Sequence, residues 1–393
     1  MVSNWLKISV FFLVIAGVMG CLLRLYYVGV NSGIVFGNLL HAHSHTAMMG
    51  WIYVAVTSLI YHYFVNKRGY KTLFSVTIGS VFGLMVSFSL QGYGSFSILF
   101  CCIHLFCSYV FIYKTIRDLR GQFSQSAAFL RASLYLLLLS TFGIWAIGPS
   151  IALYGKESSM FSVAIQFYLH FQFNGFFFFA VLALLFKVLE IKASASVFRN
   201  FLVLTVAATF LHLALPLSWY YPGSYWYILQ TLGSLLQGYA LVQLFLNTKS
   251  QLKDSISSLN SAEKTLLAFS SVALVLKTIL PLLLIYPDLM RLSHEVRSIT
   301  VAYIHMLMLG LISGLLVFII ARAKIIQSQY SVFKWGVCLF LLGFILTETI
   351  LFFQGLQVIF HLPAWSQAFL GLAVSSFFLP LGALCWLFSF RKS

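Results

Sequence analysis

Residues 39–51 read LLHAHSHTAMMGW and place three histidines, His41, His43 and His45, on alternate positions at the start of a long apolar run. In an α-helix, residues two apart lie ~200° apart around the axis, and residues four apart lie ~40° apart. His41 and His45 therefore share one face, and His43 faces the opposite way. An imidazole is costly to bury in hydrocarbon without a partner. This segment therefore predicts a buried helix whose histidines bind ligands on two opposite faces.

The composition around this segment is that of a membrane protein. The chain has 393 residues, of which 61% are hydrophobic and 8% charged, with a mean hydropathy of +0.96, whereas an ordinary soluble domain carries about 25% charged residues. We therefore expect an all-α polytopic membrane protein that forms a single integral membrane domain over residues 1–393. Twelve apolar runs are long enough to cross ~30 Å of hydrocarbon as helices. They lie near 5–28, 39–65, 71–91, 95–113, 129–150, 160–188, 198–218, 225–247, 264–286, 298–320, 332–353 and 365–390.

The formal net charge of +16 is distributed by loop and does not form a patch. Alternate loops and both termini, including Lys67 and Lys392, carry 19 of the 24 lysines and arginines. Cytoplasmic loops of membrane proteins hold such an excess of basic residues. The distribution predicts a bacterial-type inner membrane protein with both termini cytoplasmic and the bilayer as its partner, and it argues against nucleic acid as a partner.

A histidine followed five residues later by glycine recurs along the chain. The three pairs are His45 with Gly50, His170 with Gly175, and His305 with Gly310. They lie on the second, sixth and tenth predicted spans, four spans apart each time. This recurrence predicts three four-helix units in a pseudo-threefold ring, and a glycine at that position leaves room for a neighbouring helix or a flat macrocycle.

Five predicted spans bring histidines to one layer in the outer half of the membrane. These histidines are His45, His104, His170, His212 and His305. Three others lie elsewhere, His62 near the inner boundary and His294 and His361 in predicted outer loops. Neutral imidazole suits haem iron and copper, and the alternative is that these side chains form hydrogen bonds between helices. The shared depth favours ligation.

Twelve spans, a four-helix repeat and histidines on spans two, six, seven and ten resemble subunit I of the haem–copper oxidase superfamily, the family of cytochrome c oxidase and the nitric oxide reductases. The resemblance implies one or two haems, b-type, with His45 or His43 and a tenth-span His305 as ligands of a low-spin haem. It implies that His170 and His212 line the catalytic site at a second metal, copper or non-haem iron. His41 completes the candidate metal ligands.

This resemblance implies an oxidoreductase that takes electrons from a cytochrome or a quinol and reduces or binds a diatomic gas, oxygen or nitric oxide. The sequence departs from the family pattern at three places. Met306 and Leu307 follow His305 where the family has a second histidine, Leu213 follows His212 where a second histidine is usual, and Asn174 stands where many oxidases have tyrosine. The second span compensates with additional histidines, because its HxHxH could serve two sites as the missing HxH of the tenth span does in the family.

Two other interpretations remain open. NnrS-type haem–copper proteins, associated with nitric oxide stress and without respiratory turnover, carry an opening that "HAHSH" resembles and a histidine-ended span that "RNFLVLTVAATFLHL" resembles. A twelve-helix transporter with a histidine-lined pathway would instead be built from paired six-helix halves. Paired halves would repeat after six spans, whereas the repeat here recurs after four. This favours the haem–copper oxidase and NnrS-type interpretations over the transporter.

Charged residues within or just above the spans add further candidates. Lys277 and Glu348 lie inside predicted spans, where an ionisable group is expensive, so they are candidates for a proton path. The alternative is that they pair with each other or snorkel to the membrane surface. Arg24, Arg291 and Arg297 lie on the predicted outer side and are candidates to bind haem propionates by charge-assisted hydrogen bonds. The alternative is that these three residues are ordinary loop arginines that face water.

Overall fold

The computed structural model of the chain describes residues 1–30, 33–65 and 68–391. Within these residues, twelve helices are long and apolar enough to cross a membrane. In chain order, spans 1 to 12 are Val2–Tyr26, Phe36–Val65, Lys71–Gln91, Ser95–Asp118, Gln125–Tyr154, Ser159–Val188, Ala195–Ser218, Tyr225–Ser257, Ser261–Ile285, Arg297–Arg322, Ser331–Ile359 and Ala368–Phe388. The prediction of an all-α polytopic membrane protein with twelve spans is confirmed. Lys67 and Lys392, which contribute to the charge asymmetry, lie outside the described residues.

The boundaries differ from the predicted runs by a few residues in several spans and most of all at the end of span 8. Span 8 continues as a helix to Ser257, into the polar segment that the predicted runs leave between 247 and 264. Its leucine, lysine and glutamine residues favour helix, so the helix continues beyond the apolar part. The predicted outer loop before span 10 contains a short helix, Pro287–Glu295, which begins with proline at its first turn, where the fixed φ of proline suits a helix start.

The residues fall into two compact units. Unit 1 comprises Met1–Leu119, Asn260–Leu267 and Ser313–Ser393, and unit 2 comprises Arg120–Leu259 and Ala268–Ile312. In unit 1, span 1 packs against spans 2 and 12, span 3 packs against spans 2 and 4, and span 11 packs against span 12. In unit 2, span 5 packs against span 6, and span 8 packs against span 7 and the end of span 9. The three-unit ring stays a prediction.

Burial separates three spans from the other nine. In spans 2, 6 and 10 the most apolar window is 89%, 78% and 83% buried, whereas in the other spans the value lies between 28% and 44%. These three spans are the ones that carry the histidine–glycine repeat. A helix that is apolar around its whole circumference is buried on all sides, so the four-span periodicity of the sequence reappears as a periodicity of burial.

Each repeated histidine also ends an α-helical segment and is followed by a π-helix. The π-helices are Thr46–Tyr53 after His45, Phe171–Phe177 after His170, and Met306–Ser313 after His305. π-helices are rare and occur frequently at functional sites. The same local distortion at the same register in three spans shows that the repeat is structural and extends beyond the two matching residues.

The glycine of the repeat permits close helix contact in two of the three spans. A Cβ atom at Gly50 would lie 2.7 Å from Cγ of Phe12 in span 1, and one at Gly175 would lie 2.9 Å from Cβ of Leu136 in span 5. Any larger residue would push these helices apart. Of the two uses predicted for the glycine, the structure places a neighbouring helix at both positions.

Candidate functional site

His41 and His45 lie on one face of span 2, as the sequence predicts. The His45 ring stacks on Phe88 of span 3, with centroids 4.2 Å apart and planes inclined at 28°, and the His41 ring meets Tyr93 edge to face at 4.6 Å. Nδ1 of His45 donates to the carbonyl oxygen of His41 at 2.9 Å. Both rings are therefore held between their own helix and the Gln91 end of span 3 with the residues that follow it.

His43 faces the other way, towards span 1. Its Nδ1 donates to the carbonyl oxygen of Ala16 at 2.8 Å. Its Cε1 lies against Gly20, where an added Cβ would be 3.1 Å away. The opposite orientation predicted for His43 is confirmed, and the glycine explains why span 1 accepts an imidazole at this contact.

The carbonyl partners fix the tautomers of His43 and His45. A carbonyl oxygen only accepts hydrogen bonds, so Nδ1 carries the proton in each ring and Nε2 carries the lone pair. Histidines that ligate metals nearly always donate their other N–H to a carbonyl or a carboxylate in this manner, which orients the ring and raises its basicity. His45 therefore presents the nitrogen that a metal ligand needs.

His104 of span 4 lies beside this cluster in unit 1. Its side chain is 5% exposed, its ring meets Tyr53 edge to face at 4.6 Å, and its Nδ1 lies 3.5 Å from Oγ of Ser80. It is also within electrostatic range of His45. Two of the five histidines predicted to share one depth are thus brought together in unit 1.

In unit 2, His170 and His212 are buried and hydrogen-bonded through Nε2. Nε2 of His170 donates to the carbonyl oxygen of Thr209 at 2.7 Å. Nε2 of His212 donates to Oγ of Ser234 at 3.2 Å, and that hydroxyl donates onward to the carbonyl oxygen of Gln230 at 3.0 Å. Because each chain ends on a carbonyl, both rings carry the proton on Nε2 and the lone pair on Nδ1.

Lys277 of span 9 lies next to this pair and is 2% exposed. Its Nζ donates to Oε1 of Gln237 at 3.2 Å and lies 4.6 Å from the centre of the Phe178 ring. It is within electrostatic range of both His170 and His212. A neutral amide and an aromatic face thus stabilise its ammonium group, through a hydrogen bond and a cation–π contact.

The other predicted residues lie in different places. Glu348 is within electrostatic range of Arg24, which is also in unit 1. Arg291 is exposed and binds Glu295 of the same short helix at 3.2 Å, and Arg297 is exposed at the start of span 10. His305 is half-buried and ends the helix Arg297–His305.

The remaining three histidines are more exposed and lie apart from these clusters. His62 is exposed within a π-helix near the predicted inner boundary, and His361 is exposed in a turn. His294 lies on the short helix before span 10 and stacks on Trp219, with centroids 4.9 Å apart. The side of the membrane predicted for each of them stays a prediction, and His294 lies on a helix where a loop was predicted.

The donor set fits a haem iron better than a multi-ligand metal ion. A haem needs one or two protein side chains as ligands, and His45 has a lone pair on Nε2 while its second ring nitrogen is anchored. Within residues 1–30, 33–65 and 68–391, no three His, Cys, Asp or Glu side chains are grouped so that they could hold a metal ion.

Sequence reasoning missed the polar residues of span 8. Gln230, Ser234 and Gln237 are between 1% and 4% exposed. Ser234 contacts His212, and Gln237 contacts Lys277. Their spacing of four and three residues places them on one helix face. Three polar residues at that spacing in an otherwise apolar span were a signal available in the sequence.

Compared with models of known protein families and with curated proteins, the chain matches none.

Proposed function

We propose that this chain is a haem-binding membrane redox protein that reduces or binds oxygen or nitric oxide. The observation that carries the proposal is the geometry of the histidines that follow the span repeat. His45 and His170 are each followed by a π-helix and hydrogen-bonded through one ring nitrogen to a carbonyl oxygen. That arrangement leaves one lone pair on each ring for a metal, as axial ligation requires.

In this proposal, His45 and His305 would hold a low-spin b-type haem through their imidazoles. The pairing rests on the sequence repeat, and the anchored Nδ1 of His45 supports it. His43 faces span 1 and serves the second direction of the same motif, while His41 shares the face of His45. His170 and His212 line the gas site and, through Nδ1, would hold copper or non-haem iron. The iron of the haem would supply the redox change and the affinity for a diatomic gas.

The remaining assignments follow from this role. Electrons come from a cytochrome or a quinol, and the chain lies in the inner membrane with both termini in the cytoplasm. The His41 and His45 cluster beside Tyr93 lies at the end of span 3 predicted to be outer. An NnrS-like protein of nitric oxide stress would use the same haem ligands, and it would be distinguished by the absence of steady-state gas reduction with an electron donor.

The proposal is tested by spectroscopy of the purified protein. Expression in haem-replete cells and purification in mild detergent should give a Soret band and a b-type pyridine haemochrome. The His62→Ala variant, whose side chain is exposed, is the matched control and should retain the haem. A colourless wild-type protein would overturn the proposal.

A transporter is the second candidate, and one observation favours it. Lys277 is a fully buried cation beside two histidines, and buried ionisable groups line the ion paths of many transporters. The recurrence of the histidine and π-helix pattern after four spans opposes it, since transporters with paired halves repeat after six. Substrate-driven uptake by haem-free protein in vesicles would favour this candidate.

A further inference from the structure

The buried face of span 8 is polar along only part of its length. Gln230, Ser234 and Gln237 lie at positions i, i+4 and i+7, so they form one stripe along the helix. The next buried residues of this face, Ala240 and Leu244, are apolar. The polar stripe therefore starts near the Tyr225 end of the span and stops at Gln237.

Lys277 lies at the point where the polar stripe stops. Its Nζ is bound to Gln237, and in the described residues it makes no ion pair with a carboxylate. The titratable groups that face it are His170 of span 6 and His212 of span 7, while span 8 contributes only neutral side chains. Lys277 is eight residues from the end of span 9 at Ile285, which corresponds to ~12 Å.

A second feature indicates water along the stripe. Oε1 of Gln230 is buried, and it has no hydrogen-bond partner among the described residues. A buried amide oxygen without a donor costs free energy, and such groups in native proteins are usually bound to ordered water. The hydroxyl of Ser234, one turn further along, is already part of the chain from His212 to the Gln230 carbonyl.

We propose that Gln230, Ser234 and Gln237 line a hydrated proton path that opens at the Tyr225 end of span 8 and ends at Lys277. A hydronium ion that reaches the end of the path gives its proton to the neutral amine of Lys277, which leaves water and an ammonium group. The reverse transfer releases the proton. The Tyr225 end lies on the face predicted to be outer, so Lys277 exchanges protons with that face. The path does not depend on haem binding.

Hydration is tested by cysteine accessibility. In a background whose six cysteines are replaced by serine or alanine, Gln230, Ser234 and Lys277 are each changed to cysteine and exposed to silver ions in membrane vesicles. The thiols left unreacted are counted after denaturation. Leu244→Cys, on the same buried face, and Val242→Cys, which is 56% exposed on another face of the helix, are the matched controls.

We expect the three stripe variants to react at least ten-fold faster than both controls, with rates that fall from Gln230→Cys to Lys277→Cys. Equal protection of all five would overturn the proposal, and so would fastest reaction at Leu244→Cys, which would place the opening at the other end. Ser234→Cys is nearly isosteric, so it decides the outcome if Lys277→Cys does not fold.

Proton exchange at Lys277 is measured by NMR of its own side-chain nitrogen. In protein labelled with ¹⁵N at the lysine Nζ, the signal of Lys277 is identified by its loss in Lys277→Met. We expect a cross-peak between this signal and water. A signal without exchange would mean a dry, fixed charge and would overturn the proposal, whether or not the protein contains haem.

Discussion

Nδ1 of His45 donates a hydrogen bond to the carbonyl oxygen of His41, one helical turn earlier, at 2.9 Å. This bond joins two residues of the HxHxH motif that share a helix face. It orients the His45 ring towards Phe88 and keeps the proton on Nδ1, so the lone pair of Nε2 points away from the helix backbone. His43, between them in sequence, is bound to Ala16 of another span.

We predict different haem spectra for alanine variants of the motif. His45→Ala should remove the low-spin spectrum, as His305→Ala should, because a low-spin iron needs both axial imidazoles. His43→Ala should spare that spectrum and change gas binding or the second metal, since it faces span 1, and His41→Ala should have the mildest effect. Visible spectra of the reduced and gas-treated proteins measure this. Loss of the spectrum in His43→Ala with retention in His45→Ala would reverse the assignment.

Alanine at the repeat glycines should destabilise the fold. A Cβ at Gly50 would lie 2.7 Å from Phe12 and 3.0 Å from Val81, and such overpacking typically costs ~1–3 kcal/mol. Gly79→Ala is the control, because an added Cβ there meets nothing within 4 Å, and alanine favours helix by ~0.5–1 kcal/mol. Thermal unfolding in detergent should show a lower Tm for Gly50→Ala and an unchanged or higher Tm for Gly79→Ala. Equal Tm values would contradict the packing role.

Lys277 and Gln237 should respond oppositely to apolar substitution. Lys277→Met removes a buried charge and keeps much of the volume, and such replacements are often neutral or stabilising. Gln237→Leu removes the acceptor at 3.2 Å from Nζ and leaves the ammonium with less compensation, at a cost of ~1–3 kcal/mol. Tm measurements should place Gln237→Leu below the wild type and Lys277→Met at or above it. A strongly destabilised Lys277→Met would indicate a structural role for the charge.

Phe88 should support the ligand geometry of His45 by packing. Its side chain is fully buried and stacks on the imidazole at 4.2 Å, and truncation of a buried phenylalanine to alanine typically costs ~3–5 kcal/mol. We expect Phe88→Ala to lower the Tm and to broaden or weaken the low-spin haem spectrum. Phe106→Ala, at a position 55% exposed, should change neither. A normal spectrum in Phe88→Ala would show that the stacking contact does not orient the ring.

The sequence by itself determined the twelve spans, because a helix that crosses hydrocarbon needs about 20 apolar residues whatever its neighbours are. It also determined that His41 and His45 share a face and that His43 does not, since helical geometry depends only on residue spacing. The recurrence of the histidine–glycine pair after four spans was visible in the same way. It is matched by a π-helix and by deep burial at each position.

The tertiary structure decided which atoms of these residues are engaged. Whether Nδ1 or Nε2 of a histidine holds the proton depends on an oxygen supplied by a different segment in three cases of the four, such as Thr209 for His170. The partner of Lys277 was equally hidden, because Gln237 lies 40 residues away along the chain. Contacts between helices depend on how buried faces fit together, and local periodicity specifies the face of each helix but not the neighbour it meets.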